Sequence, residues 1–393
     1  MAITLSQLCA NTEKKYSMKL IAGHAGMGNT VRWVHIIEDS EVPDFLHGNE
    51  LIFTTGIGHV GNEWLKSFTV SLKNKGAIGL VVNIGPYISS VPSQAIVFCE
   101  QNGFPLFTIP WKTRIIDISY EFCRRIIANE KRESTIADAF RGIIRNPATA
   151  DDYSSMLNRA GFYDDSSYTV SILRKSVSIT ESVVRTTDMS LWRMLKKSGN
   201  HSSLFMKEGD LVAVRQNCSE EEIVMFCELL RPIAEQSADT EIYIGVSESV
   251  RGFAEISQAY EQSYAAMLTG RIKGKEHVFY RDIGLMKLIF GVKDKMILSS
   301  FAEENLGVLH RYDSEKNTDY CSVLRKYLEL NGSVLEAAAE TGVHRNTINY
   351  KIRAIREILG RELDDHTKSM LMLAYLIEDV LDIYDNLNGG NKQ

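Results

Sequence analysis

The chain is poor in the features that mark several protein classes. No stretch comes near the roughly 20 apolar residues that cross a bilayer. The best runs, Ala77 to Val82 and Leu371 to Ile377, are far too short. No basic segment followed by an apolar run opens the sequence, so neither a secretory leader nor a membrane role is expected. The six cysteines, Cys9, Cys99, Cys123, Cys218, Cys227 and Cys321, form no CxxC pair. They read as reduced thiols of a cytoplasmic protein. The nine histidines form no pair at metal-ligand spacing, so neither a metal nor a cofactor is expected. Glycine and proline show no fixed period, which excludes a fibrous repeat. Proline is also absent after Pro232.

What is present is a soluble-protein composition, 44% hydrophobic and 24% charged, over 393 residues. That length predicts two or three domains. The front half alternates short apolar runs, Leu51 to Thr55, Ile78 to Asn83 and Leu106 to Ile109, with helical stretches such as Trp64 to Lys75 and Ser93 to Asn102. Buried strands alternating with helices predict an α/β domain over residues 1–125. Apolar residues at helical spacing from Ile115 to Ile144 predict connecting helices over 126–165, in one or two pieces, which could pair between chains. Residues 166–285 predict an α+β unit: a strand at Tyr168 to Leu173, a hairpin around Lys207-Glu208-Gly209-Asp210, a helix Glu220 to Ala238, a strand Glu241 to Val246 and a helix Phe253 to Thr269. A helical spacer, 286–319, leads to an all-α segment, 320–382, and a flexible tail, 383–393.

The net charge of −6 argues against a general polyanion binder. Its distribution says more. From His344 to Arg361, five basic side chains stand against Glu357 alone, a local +4 that leaves −10 elsewhere. A short basic element on an acidic body predicts one localised nucleic-acid contact.

That element lies in SVLEAAAETGVHRNTINYKIRAIREILG, Ser333 to Gly360. Ser333 and Glu336 make a capping-box pattern that starts a helix. Ala337 to Ala339 keep the helix thin enough for another to cross. Gly342 suits the left-handed position that ends it. On the next helix Ile348, Ile352, Ile355 and Leu359 form an inward stripe. Asn346, Asn349, Tyr350 and Arg353 face the other way, with Arg345 and Arg356 at the margins. Ala338, Gly342 and Ile348 occupy the small, turn and core places of a helix-turn-helix. Its second helix would enter the major groove, where Arg matches guanine and Asn matches adenine. Arg353 and Arg356 are better placed for phosphates. A plain helical hairpin with a solvated polar face is the competing reading.

The same segment closely resembles the C-terminal domain of PucR/CdaR-type bacterial transcription regulators. Tyr327-Leu328, Asn331-Gly332-Ser333 and His344-Arg345-Asn346-Thr347 match that family's signature, followed by Tyr350-Lys351 and Ile358-Leu359-Gly360. The turn also resembles that of the Fis-type helix-turn-helix. Upstream, Val31-Arg32-Trp33-Val34-His35, Asp44-Phe45-Leu46, Gly48-Asn49-Glu50-Leu51, Thr54-Thr55-Gly56, Gly85 and Pro105…Pro110 resemble the family's N-terminal sensory domain. Ile244-Gly245-Val246-Ser247 and Tyr260…Tyr264-Ala265-Ala266 resemble its GGDEF-like middle domain.

The resemblance implies a multidomain α/β and α+β protein with a helix-turn-helix end. It would be a metabolite-responsive regulator, an activator rather than a repressor, of an operon for a purine-derived, amino-acid or related nitrogen or carbon compound. It implies double-stranded operator DNA, a small-molecule effector and a homo-oligomer, dimer or tetramer. DNA contacts are expected from His344, Arg345, Asn346, Thr347, Asn349, Tyr350, Lys351, Arg353 and Arg356. Effector contacts are expected from Trp33, His35, Glu50, Thr54 and Thr55.

Three enzyme readings compete. A nucleotide cyclase, or a nucleotide receptor, could use the middle domain. Its hairpin has one glycine, however, and Arg174-Lys175 stand where a metal ligand is needed, so catalysis is not expected. Gly23 to Thr30 has phosphate-loop spacing, but Asn29 replaces the lysine, so a turn is expected. Glu38, Asp39, Glu41 and Asp44 read as a solvated loop rather than an acid/base pair. Trp33, His35 and Trp111 can also be read as packing residues.

Overall fold

The computed structural model describes residues 3–39, 46–59, 61–175, 201–234 and 241–389. Glu41, Asp44 and the last four residues lie outside them, as does the side chain of Lys175. The chain divides into two compact units. The first comprises residues 1–170, 175–240 and 249–258, and the second residues 171–174, 241–248 and 259–393.

The first unit opens with short helices α1 (Leu5–Leu8) and α2 (Thr12–Tyr16) and strand β1 (Lys19–Ala22). It continues through β2 (Trp33–Ile36), β3 (Glu50–Thr54), α3 (Trp64–Asn74), β4 (Gly79–Ile84), α4 (Ser93–Gln101) and β5 (Leu106–Pro110). The sheet order is β1-β5-β4-β3-β2, with β2 to β5 parallel and β1 antiparallel at one edge. Both faces are covered, which is why β3 is buried at all five positions and reads as a continuous apolar run. Leu51, Phe53, Val81 and Phe107 share one core cluster with Leu5, Leu8, Ile118, Phe122 and Ile126. Ile52, Leu80 and Val82 share the other with Leu65, Phe68, Leu72 and Cys99.

Helix α5 (Ile115–Arg145) is one continuous 31-residue helix, not two pieces. Its first glycine comes at Gly142, and Pro147 follows its end, so nothing interrupts it earlier. Glu121, buried where α5 crosses the sheet, is held by Lys15, Tyr16 and Arg125. These partners, the Lys15 bond foremost, hold its carboxyl down at about 2.

The chain continues through α6 (Ala150–Ala160), β6 (Ser167–Lys175), β7 (Ser202–Lys207), β8 (Asp210–Gln216) and α7 (Glu220–Ala234). The expected hairpin is present, with Lys207 opposite Asp210. Glu208 and Gly209 both take positive φ, +52° and +86°, as a two-residue hairpin turn requires.

The second unit holds β9 (Ile242–Val246), parallel to β11 (His277–Phe279), and α8 (Ile256–Lys273) from Ala259 onward. The two-residue strand β10 (Val250–Arg251) belongs to the first unit, antiparallel to β6. Helices α9 (Met286–Gly291), α10 (Lys295–Lys316), α11 (Tyr320–Glu329), α12 (Val334–Thr341), α13 (Arg345–Leu359) and α14 (Asp365–Gly389) complete the chain. The segment from residue 383, expected as a flexible tail, continues α14 as helix through Gly389. Its apolar positions explain this: Val380 and Ile383 are buried, and Tyr384 packs against the same core as Val380.

None of the six cysteines forms a disulfide. Burial pushes the thiols of Cys9, Cys99, Cys227 and Cys321 up to about 12. No helix of the described residues is long and apolar enough to cross a membrane.

Candidate nucleic-acid interface

Three short helices, α11 to α13, build the site. Ser333 caps α12, its hydroxyl accepting the Glu336 N–H at 3.3 Å. Gly342 ends the helix at φ +68°, where a side chain would be strained. The turn is only Gly342-Val343-His344. His344 then caps α13, with its ring Nδ1 accepting the Asn346 N–H at 3.2 Å. The helix stops at Gly360, again with positive φ.

Packing fixes the roll of α13. Ile348, Ile352 and Ile355 are buried among Val323, Leu324, Tyr327, Leu328 and Leu371, with Leu359 packed on the rim. Ala337 is buried in this core, and Ala338, the small residue read from the sequence, is half-buried and packs against it. Arg325 on α11 makes a two-bond fork to Asp379 on α14, 2.8 Å each, so the long last helix braces the trio.

With the isoleucines turned in, the opposite face is polar. His344, Arg345, Asn346, Thr347, Asn349, Tyr350, Arg353 and Arg356 are all exposed. Lys351 stands apart. It is half-buried, and its Nζ lies 2.6 Å from both carboxylate oxygens of Asp319, before the start of α11. Among the described residues, Arg353 and Arg356 have looser partners, Glu357 at 3.5 Å and Glu362 at 3.6 Å. Such exposed pairs are weak and exchange readily for another anion. Glu357 is the lone acid of the basic stretch read from the sequence, whereas Glu362 lies just beyond that stretch. The i, i+4 spacing of Arg353 and Glu357 was legible there; the Lys351 pair, 32 residues apart in sequence, was not.

The expected effector residues do not form one cluster. Trp33 and Glu50 are register neighbours at the start of β2 and β3. Trp33 is 46% exposed, whereas Glu50 is buried and accepts the His47 N–H at 2.8 Å. His35 is half-buried beside Ile52. Thr54 and Thr55 lie at the far end of β3, roughly 13 Å along the strand. There they grip Glu38: its carboxylate accepts from the Thr54 hydroxyl, the Thr55 N–H and hydroxyl, and the Gly56 N–H, at 2.8–3.1 Å. Glu38 is therefore not a solvated loop residue, because the chain stays alongside β3 beyond the end of β2, with the Ile37 N–H donating to the Phe53 carbonyl at 2.9 Å. Asp39 is exposed.

Local contacts account for the remaining candidate segments. In place of the expected turn, His24–Gly28 form one short 3-10 helix; Gly23 before it packs against Phe104 and Pro105, and its N–H donates to the Glu100 carboxylate at 2.6 Å. An acid stands where a phosphate would have to. In the middle domain the Arg174 guanidinium lies over the Tyr264 ring at 5.3 Å. Asp210 is buried at the first position of β8 rather than exposed in the turn. Trp111 rests on Gly85, where any Cβ would overlap its ring. Among the described residues, no three His, Cys, Asp or Glu side chains group to hold a metal.

An α/β domain, a mixed middle region and a braced helix-turn-helix define a multidomain protein of the helix-turn-helix class. Family models match in the same order. The purine catabolism regulatory protein-like family matches residues 7–126, a GGDEF-like domain 145–267, and the PucR C-terminal helix-turn-helix domain 320–377. In the order and kind of its domains the chain matches regulators of the PucR type.

Among its relatives, the proline-responsive transcriptional activator PutR of Bacillus subtilis is 25% identical over 146 residues, 36% of each chain. The purine catabolism regulatory protein of the same organism is 31% identical over 101 residues, 25% of this chain and 19% of that one. The matched stretches thus span about a third or less of these relatives' lengths. A solved regulator of polyketide synthase expression from Bifidobacterium adolescentis aligns at 18% identity with a TM-score of 0.32, covering 62% of this chain and 92% of the other.

Proposed function

We propose that the chain is a cytoplasmic, DNA-binding transcriptional regulator, a metabolite-responsive activator of a catabolic operon. The observation that carries this reading is the face of α13. Its apolar side is locked into a core, and Arg345, Asn346, Asn349, Tyr350 and Arg353 stand exposed on one short helix. Helices presented this way read base edges in the major groove. His344 acts chiefly as a helix cap, and Lys351 as a brace to Asp319, so neither reads bases. Thr347 and Arg356 contact the backbone.

Residues 1–125 sense the effector, 126–165 connect, 166–285 form a GGDEF-like domain without catalysis, and 286–319 space out the DNA-binding segment 320–382. Arg174 at the end of β6 supports the non-catalytic reading, since a cation there opposes a metal. The effector is a small metabolite of the kind PutR's name implies, an amino acid or related acid. It meets the Thr54-Thr55 end of the parallel strands, the usual ligand position in such sheets. Trp33, His35 and Glu50, near the other end, support that domain's packing.

Gel shifts on the DNA upstream of its own gene test the reading. Arg345→Ala and Asn346→Ala are expected to weaken specific binding by about 1–3 kcal/mol each with melting unchanged. Wild-type binding by both variants would refute the assigned face.

A further inference from the structure

Helix α5 has two apolar sides. One carries Ile118, Phe122 and Ile126 into the core beneath the sheet. On the other, Ile116, Tyr120 and Ile127 are 65%, 70% and 52% exposed, with half-buried Cys123 between them. The four recur at i, i+4, i+7 and i+11 and so line one stripe. At about 100° per residue the stripe faces away from the sheet-packed side. It runs about 16 Å along the helix axis. Single exposed apolar residues are ordinary, but a stripe in register marks a contact surface.

We infer that this stripe packs against the same stripe of a second copy of the chain, with the two α5 helices antiparallel. Charge selects both the partner and the direction. Asp117 and Arg124 lie seven residues apart on one flank of the stripe, both exposed. Among the described residues neither has an ion-pair partner. Antiparallel helices related by a two-fold axis set like flank against like flank. Centred between Ile116 and Ile127, the pair stacks each of these on the other in the second copy. Tyr120 then falls beside Cys123 of the second copy. Asp117 comes within two residues, about 3 Å of axis, of Arg124 on the second copy. The symmetry forms that ion pair twice. A parallel pair would set the same flank against the Ser119 side and leave both charges unmatched.

Three helical turns bury less than the roughly 1,200 Å² of a standard interface, so the pair dissociates on dilution. Two DNA half-sites would hold it together, the one point at which the inference rests on the operator-binding reading.

Sedimentation velocity of the full chain without DNA tests it. The wild type is expected to show a concentration-dependent monomer–dimer equilibrium. Tyr120→Glu should weaken it at least about tenfold. Asp117→Arg should weaken it about fivefold, and Asp117→Arg with Arg124→Asp should restore it. All of these positions are on the surface, so melting serves as the folding control. In a Cys123→Ala background, Ile116→Cys mixed with Ile127→Cys should cross-link on oxidation, and neither should alone. A strictly monomeric wild type, a Tyr120→Glu variant that dimerises normally, or Ile116→Cys cross-linking by itself would each overturn the inference. Operator gel shifts of Arg345→Ala report separately on DNA binding, so either reading can fail while the other stands.

Discussion

Lys351 and Arg353 are two residues apart on one basic helix, yet the structure gives them different work. Arg353 is 83% exposed and its one ion-pair partner among the described residues, Glu357, is itself 71% exposed at 3.5 Å. Replacing it by alanine removes a weak pair and leaves a good helix former, so the stability change should stay within about 0.5 kcal/mol. What it removes from the complex is one phosphate contact. Each such contact contributes about 0.9 to the slope of log affinity against log salt. Over a fourfold rise in salt, the wild type should therefore lose about 3.5-fold more affinity per recognition helix than Arg353→Ala. Lys351→Ala should do the reverse. Its ammonium is held by both oxygens of Asp319 at 2.6 Å and is only 20% exposed. Its loss should cost about 0.5–1 kcal/mol of domain stability and leave the salt slope unchanged. Fluorescence anisotropy on one duplex at four salt concentrations, with a melting curve for each variant, measures both quantities. Equal flattening by the two variants would refute the division of roles.

Other outcomes follow from the packing. Ile352→Ala removes a buried anchor of α13 and should cost about 2–5 kcal/mol and abolish DNA binding with it, seen by melting and gel shift together. Gly342→Ala meets no neighbour within 4 Å, so only the strain at φ +68° should register, about 1 kcal/mol by denaturant titration. Gly23→Ala must also displace the Phe104 carbonyl and should destabilise more in the same assay. The Glu121 carboxyl is held below its ordinary range, so its contribution is full above about 4.5 and fades as pH falls toward 2. Glu121→Gln should be less stable at neutral pH and lose that part of the pH dependence in stability measured from pH 7 down to 2.

Much of this molecule was legible along the chain because its physics is local. Strands buried on both faces show as short apolar runs, and β3, β4 and β5 lie within a residue or two of them. A capping serine, a left-handed glycine and a 3.6-residue apolar stripe specify α12, its turn and the roll of α13 without any distant contact. The misplacements were non-local. Glu38 reads as solvated because nothing in its neighbourhood announces that the chain runs on beside β3 as far as Thr54-Thr55-Gly56. The five effector candidates looked like one group because they lie close in sequence, but strand direction sends Trp33 and Glu50 to one end of the sheet and the threonines to the other.

The sequence by itself thus determined the element types, the helix-turn-helix and the residues on its outer face, since periodicity and capping act over a few residues. Only tertiary structure decided which cations on that face stay free. Asp319 reaches Lys351 across 32 residues through helix packing, and a charge pair made in space leaves no trace in the local pattern of either segment.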